Sequence, residues 1–141
     1  MRLTKSFTLV ETFVALFIAT ILTLIAIPIY TRSAERARAQ EAVNVLHVLR
    51  GSQLRYAEDH GRTSNQLSDL DVEFTDPGTY FDSLQLFRVD PDVNPTGVIV
   101  RLRRTTVANP GYGRYVLEID SNATITCADQ GTFDGCSRLN L

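Results

Sequence analysis

Phe7 to Tyr30 read FTLVETFVALFIATILTLIAIPIY, a stretch whose single carboxylate is Glu11. Thr12 to Ile29 are 18 consecutive uncharged residues. As a helix they would extend about 27 Å, close to the roughly 30 Å hydrocarbon core of a bilayer. No glycine precedes Gly51, and Pro28 is the one helix breaker in the run. A proline there frees the carbonyl of Leu24, so the helix is expected to kink near its outer end. Thr20 and Thr23 are spaced to bond the carbonyls of Leu16 and Ala19, which would add a milder bend.

The flanks do not orient this segment, because Arg2 and Lys5 precede it while Arg32, Arg36 and Arg38 follow it. A cleaved secretory signal fits poorly: the apolar run exceeds the usual stretch of about 7–15 residues, and no small-x-small cleavage site follows. A plain single-pass anchor leaves Glu11 unexplained. A carboxylate in lipid has to be neutralised, snorkel outwards or meet a cation.

The string Lys5-Ser6-Phe7-Thr8-Leu9-Val10-Glu11, the apolar run behind it, and Pro28-Ile29-Tyr30 closely resemble the N-terminus of type IV pilins and of the related secretion and competence pseudopilins. The shared features are a short basic leader, an aromatic residue at the cut, an acid four residues further on, and Pro and Tyr at the expected places. The resemblance implies that residues 1–6 are a leader. A prepilin peptidase would cut between Ser6 and Phe7 on the cytoplasmic side and methylate the Phe7 amino group. Glu11 would then pair with a Phe7 amine, whose unperturbed pKa is near 7.7–8, as a subunit joins a filament. Ser6 and Thr20 stand where the family commonly has Gly. The implied partners are further copies of the chain, minor pilins, the peptidase and an ATP-driven inner-membrane assembly platform. The implied location is the inner membrane for a single-pass precursor with a periplasmic head, then an extracellular pilus serving adhesion, twitching motility or DNA uptake. A pseudopilin of a type II secretion or competence system is the alternative within the family. A monomeric, membrane-anchored binding module is the alternative outside it.

Beyond the transmembrane and filament-core helix expected at residues 7–30, residues 31–141 read as an amphipathic helix followed by a β-sheet head. Thr31 to Asp59 lack proline and are rich in helix formers. Ala39, Ala42, Leu46, Leu49 and Tyr56, with Gln53 as the polar exception, make a stripe opposite Arg38, Glu41, Arg50 and Glu58. A sheet packing on that stripe is expected; a coiled-coil seam has only about two heptads to use. Gly51 suggests a close contact, and His60-Gly61 a helix end. Arg62 to Tyr80 read as a loop pinned by Leu67, Leu70 and Phe74. Strands are expected at Leu84–Val89, Gly97–Arg104, Tyr112–Asp120 and Ala123–Cys127. The whole is an α+β arrangement with four antiparallel strands, and by resemblance a pilin fold.

Cys127 and Cys136 are the only cysteines, with eight residues between them. A disulfide is expected, which would remove roughly 2.5–3 kcal/mol of chain entropy from the unfolded state and place this end in an oxidising compartment. Zinc is the competing reading, although no third Cys exists and neither His47 nor His60 is near in sequence. By resemblance, type IV pilins close a surface loop with such a disulfide, which many pseudopilins lack.

With 141 residues and a net charge of −2, the chain is too short for a multidomain enzyme and is not a strongly basic body, so nucleic acid is not an expected partner. No catalytic residues, metal or cofactor are expected. His47 and His60 read as surface or packing residues with no paired nucleophile. Asp90, Asp92 and Asn94 mimic the start of a calcium loop, but Gly97 comes one position late and Arg101 stands where the closing Glu belongs, so a turn is expected. Asp129 and Asp134 are the other candidates for calcium. Arg101, Arg103 and Arg104 form a basic cluster, read as a solvated face, with subunit salt bridges or DNA phosphates as alternatives. Asn122-Ala123-Thr124 matches a glycosylation sequon.

Overall fold

The structure is a computed structural model that describes residues 8–73, 80–105, 113–131 and 135–139. The expected leader and the expected cut between Ser6 and Phe7 lie outside these residues, as do Phe74, Tyr112 and Asp134. The chain divides into two compact units, Met1–Arg36 and Ala37–Leu141. Helix α1, Leu9–His60, contributes to both and contains Pro28.

In the first unit side-chain hydroxyls bond the helix's own backbone. The Thr8 hydroxyl accepts the Glu11 amide at 3.3 Å, an N-terminal cap. The hydroxyls of Thr20 and Thr23 donate to the carbonyls of Leu16 and Ala19, each at 2.8 Å, as their spacing predicts. Thr31 donates to the carbonyl of Pro28 at 3.0 Å.

The second unit is a helix on a sheet. Strands β1 (Phe81–Leu86), β2 (Val98–Arg104), β3 (Arg114–Asp120) and β4 (Ile125–Gln130) form one antiparallel sheet in sequence order, followed by a short helix α2, Gly135–Leu139. Ala39, Ala42, Val43, Leu46 and Leu49 of α1 are buried in the same core as Ile99, Val100 and Leu102 of β2 and Tyr115, Leu117 and Ile119 of β3. The expected stripe is therefore the packed face.

Two of the residues placed opposite that stripe do not simply face water. Arg38 lies over the Tyr80 ring at 3.9 Å. Arg50 donates through Nε to the carbonyl of Ser121 at 2.9 Å, tying the helix to the β3–β4 turn. Gln53, the polar exception in the stripe, is fully buried: its Nε2 donates to the Ser64 carbonyl and its Oε1 accepts the Ser64 amide, both at 2.8 Å. One side chain thus does for Ser64 what a neighbouring strand would do. Next to it, the buried Thr63 donates through its hydroxyl to the carbonyl of Phe87 and accepts the amide of Val89, and its own amide donates to the Val89 carbonyl.

These bonds explain where β1 differs from expectation. It starts three residues early because Phe81 is buried edge-on against Tyr115, with centroids 6.3 Å apart. Beyond Leu86 the Phe87 amide still bonds the Ile99 carbonyl at 3.0 Å, but Thr63 takes the Phe87 carbonyl and both backbone groups of Val89, and the ladder stops. Strand β4 starts two residues late and runs to Gln130, because its register with β3 continues to Arg114. The turn before it holds Ala123 at φ +69, which delays the ladder. Gly51 makes no close contact: a Cβ there would meet only the end of Arg55, at 3.5 Å. Gly61 does end α1, at φ +71, with its amide bonded to the Ala57 carbonyl at 2.7 Å. Leu67 and Leu70 pin the following loop to the core.

Replacing Gln53 by Ala leaves both backbone groups of Ser64 buried and unpaired, each costing about 1–3 kcal/mol. A loss of at least ~2 kcal/mol in urea unfolding is expected, with most of it retained in Gln53→Leu, which restores volume but not the bonds. Near that loop, Asp71 is held well below the usual carboxylate range, first by the hydrogen bond from Arg55 and then by that from Ser52. A depressed carboxylate stabilises the fold above its unfolded pKa of about 3.9 and loses that contribution as pH falls further. Asp71→Asn should therefore flatten the loss of stability below pH ~4. Both partners are more than half exposed, so the effect near neutral pH should be small.

Candidate functional site

The first turn of α1 is built by Thr8 and Glu11. Thr8-x-x-Glu11 is the spacing of a capping box, and an acid there also complements the positive end of the helix dipole. This signal was readable in the sequence and gives Glu11 a local role beside the one implied by resemblance. Its expected partner, the Phe7 amine, lies outside the described residues.

Behind Glu11 every residue to Ser33 is exposed, and none of the apolar span is buried. Phe13 is 65% exposed, Leu24 71% and Tyr30 74%. Burying one such side chain is worth about 1.5–3 kcal/mol, so covering the segment is worth on the order of tens of kcal/mol. A globular helix has one apolar stripe; a helix apolar all round is enclosed by hydrocarbon or by other helices. One N-terminal helix is therefore long and apolar enough to span a membrane. Pro28 lies within it, near its outer end, and the hydroxyl of Thr31 occupies the proline's own carbonyl.

The other predicted residues lie in the second unit. Cys127 on β4 and Cys136 on α2 are joined in a disulfide, with Cα atoms 5.7 Å apart. The zinc alternative falls, since both thiols are consumed. Asp129 accepts the Cys136 amide at 2.9 Å, and Leu139 at the end of α2 is buried in the core. The disulfide and this leucine fasten the tail to an edge strand whose other side chains are mostly exposed. Helix α2 was not legible in the sequence, being five residues long.

The arginine cluster separates into two parts. Arg101 pairs with Glu118 across β2–β3 and lies over Phe87, and Arg103 pairs with Asp82 at 3.0 Å. Arg104 is not on a solvated face at all. It is 1% exposed and donates to the carbonyls of Thr105 and Gly113, both at 2.9 Å. Strand alternation from Val100 and Leu102 puts it on the core side. Asp90 caps a turn by accepting the amides of Asp92 and Val93 at 3.0 and 3.3 Å. His60 stacks on Tyr56, and His47 is exposed.

Comparison with models of known families, with curated proteins and with solved structures finds no match to this chain.

Removal of the disulfide through Cys127→Ser should cost roughly 2.5–3 kcal/mol of head stability, from opening a ring of about ten residues. The same loss is expected for the unaltered chain on reduction, followed by urea unfolding. If reduction leaves the midpoint unmoved, the tail is held by Leu139 rather than by the bond.

Proposed function

We propose that this chain is a structural subunit of the type IV pilin class, whose apolar helices bundle into a filament core while disulfide-closed heads coat the outside. The observation that carries the reading is the segment at residues 9–30, uncovered on every face and interrupted by one carboxylate at its first turn. Lipid covers such a helix before assembly, and the same segments of other copies cover it afterwards. Glu11 distinguishes a subunit from a plain anchor: of the ways open to an acid at that place, pairing with a cation is the one that links it to assembly, and the amine of a processed Phe7 is such a cation. On this reading the chain performs no catalysis; its work is assembly on an inner-membrane platform after cleavage by a prepilin peptidase.

The disulfide favours a surface pilus over a pseudopilus by resemblance alone, since many pseudopilins lack such a bond and the periplasm is as oxidising as the cell exterior. A monomeric binding module is less well supported: Arg101 and Arg103 are engaged by carboxylates of their own sheet, and Arg104 is in the core.

Glu11→Ala should abolish filaments while leaving the precursor in the membrane fraction; normal filaments would refute the charge-pairing mechanism. Loss of the Thr8–Glu11 cap is controlled with Thr8→Ala, which should weaken the first turn by about 1 kcal/mol and still allow assembly. Intact-mass spectrometry of sheared surface filaments should find a species beginning at methylated Phe7 and two hydrogens lighter before reduction. Recovery only from inner membranes would indicate a pseudopilin if the chain is cut at Phe7, and an anchored module if it begins at Met1.

A further inference from the structure

We infer that Arg32 and Arg36 bind the phosphate of an anionic phospholipid whose chains lie along Leu22, Ile25 and Ile29. The inference rests on the membrane-spanning reading of α1 and not on filament assembly.

Positions 22, 25, 29, 32 and 36 are separated by three or four residues, so on a helix they form one continuous stripe. All five side chains are exposed. The stripe is apolar for three positions, cationic for two, and carries no carboxylate. Ile29 is the last aliphatic residue before the next charge, and Arg32 and Arg36 rise about 4.5 and 10.5 Å beyond it. The polar layer on each side of a bilayer is roughly 5–8 Å thick. Helical side chains lean towards the N-terminus, here towards the hydrocarbon, so both guanidiniums reach back into that layer. Tyr30, the aromatic at the same level, suits the interface.

The two arginines differ from several others among the described residues. Arg50 is committed to a carbonyl, Arg55 to Asp71, Arg101 to Glu118 and Arg103 to Asp82. Arg32 and Arg36 make no ion pair with any described residue. A guanidinium offers a planar fork of donors matched to phosphate oxygens, and two of them one turn apart can share a single phosphate. Charge selects an anionic lipid over a zwitterionic one, and the apolar positions below select a lipid over a free phosphate, which has no chains to place on them.

The test uses the full-length chain reconstituted in phosphatidylcholine vesicles with trace spin-labelled phosphatidylglycerol or phosphatidylcholine. Electron paramagnetic resonance then reads the fraction of each label immobilised by the protein. The anionic label should be preferred by about fivefold, and R32Q/R36Q should remove most of that preference. R62Q/R88Q, which deletes the same charge from exposed positions of the head, should leave it unchanged. Equal preference in R32Q/R36Q and the unaltered chain, or equal losses in both double variants, would overturn the proposal. If the chain washes off the vesicles at alkaline pH, the membrane-spanning reading itself fails, and the inference with it. Both arginines are exposed, so the head should keep its disulfide and unfolding midpoint in every variant.

Discussion

A helix that is apolar on every face cannot rest in water, and that constraint organises the whole chain. Over residues 9–30 none of the described residues covers the side chains, so their cover is sought outside them. Entry into a low-dielectric surrounding is possible because the backbone carries few loose ends. The helical ladder satisfies its interior apart from the Leu24 carbonyl, for which Pro28 has no amide, Thr8 caps its start, and Thr20, Thr23 and Thr31 return their hydroxyls to its own carbonyls. Glu11 is the exception, a carboxylate on the margin of an otherwise uncharged span. The Thr8 cap engages the backbone amide of Glu11, and a cation for its carboxylate, from outside the described residues, enters the proposed mechanism.

The second unit has the opposite character: it covers itself. One face of the helix closes the sheet with Ala, Val and Leu side chains, and polar side chains from the same helix hold the connecting segments. Gln53 stands in for a strand beside Ser64, Arg50 holds the β3–β4 turn, and Arg38 lies against Tyr80. At the far edge the Cys127–Cys136 bond and Leu139 secure a tail with little apolar surface of its own. Under the proposed function this division is useful. A head that completes its own core can remain folded while the surroundings of the apolar helix change from lipid to other helices.

Much of this was legible because it follows from periodicity. The stripe Ala39-Ala42-Leu46-Leu49 became the packed face, the four strands appeared and paired antiparallel, and the two threonines bonded where their spacing placed them. Boundaries were less legible where long-range partners decided them. Residues 87–89 look like strand, yet Thr63, distant in sequence, takes the Phe87 carbonyl and both backbone groups of Val89. Residues 81–83, left between the expected loop and strand, join β1 because Phe81 finds Tyr115. Arg104 is instructive in a different way: residue type suggested a solvated face, whereas its place in the alternation after Val100 and Leu102 pointed inward, and the alternation prevailed. Gly51 drew an expectation of close packing from its rarity in helices, and the space beside it is open.

By itself the sequence determined the apolar span and its lone acid, the helix-plus-sheet class, and the pairing of the only two cysteines, since each depends on local pattern or on composition. Tertiary structure decided which polar side chains are structural. Gln53, Thr63 and Arg104 are buried because particular backbone groups elsewhere in the chain complete their hydrogen bonds, and burying a polar group is tolerable only when such a partner is in place. That condition depends on geometry between distant residues, which no spacing along the chain expresses.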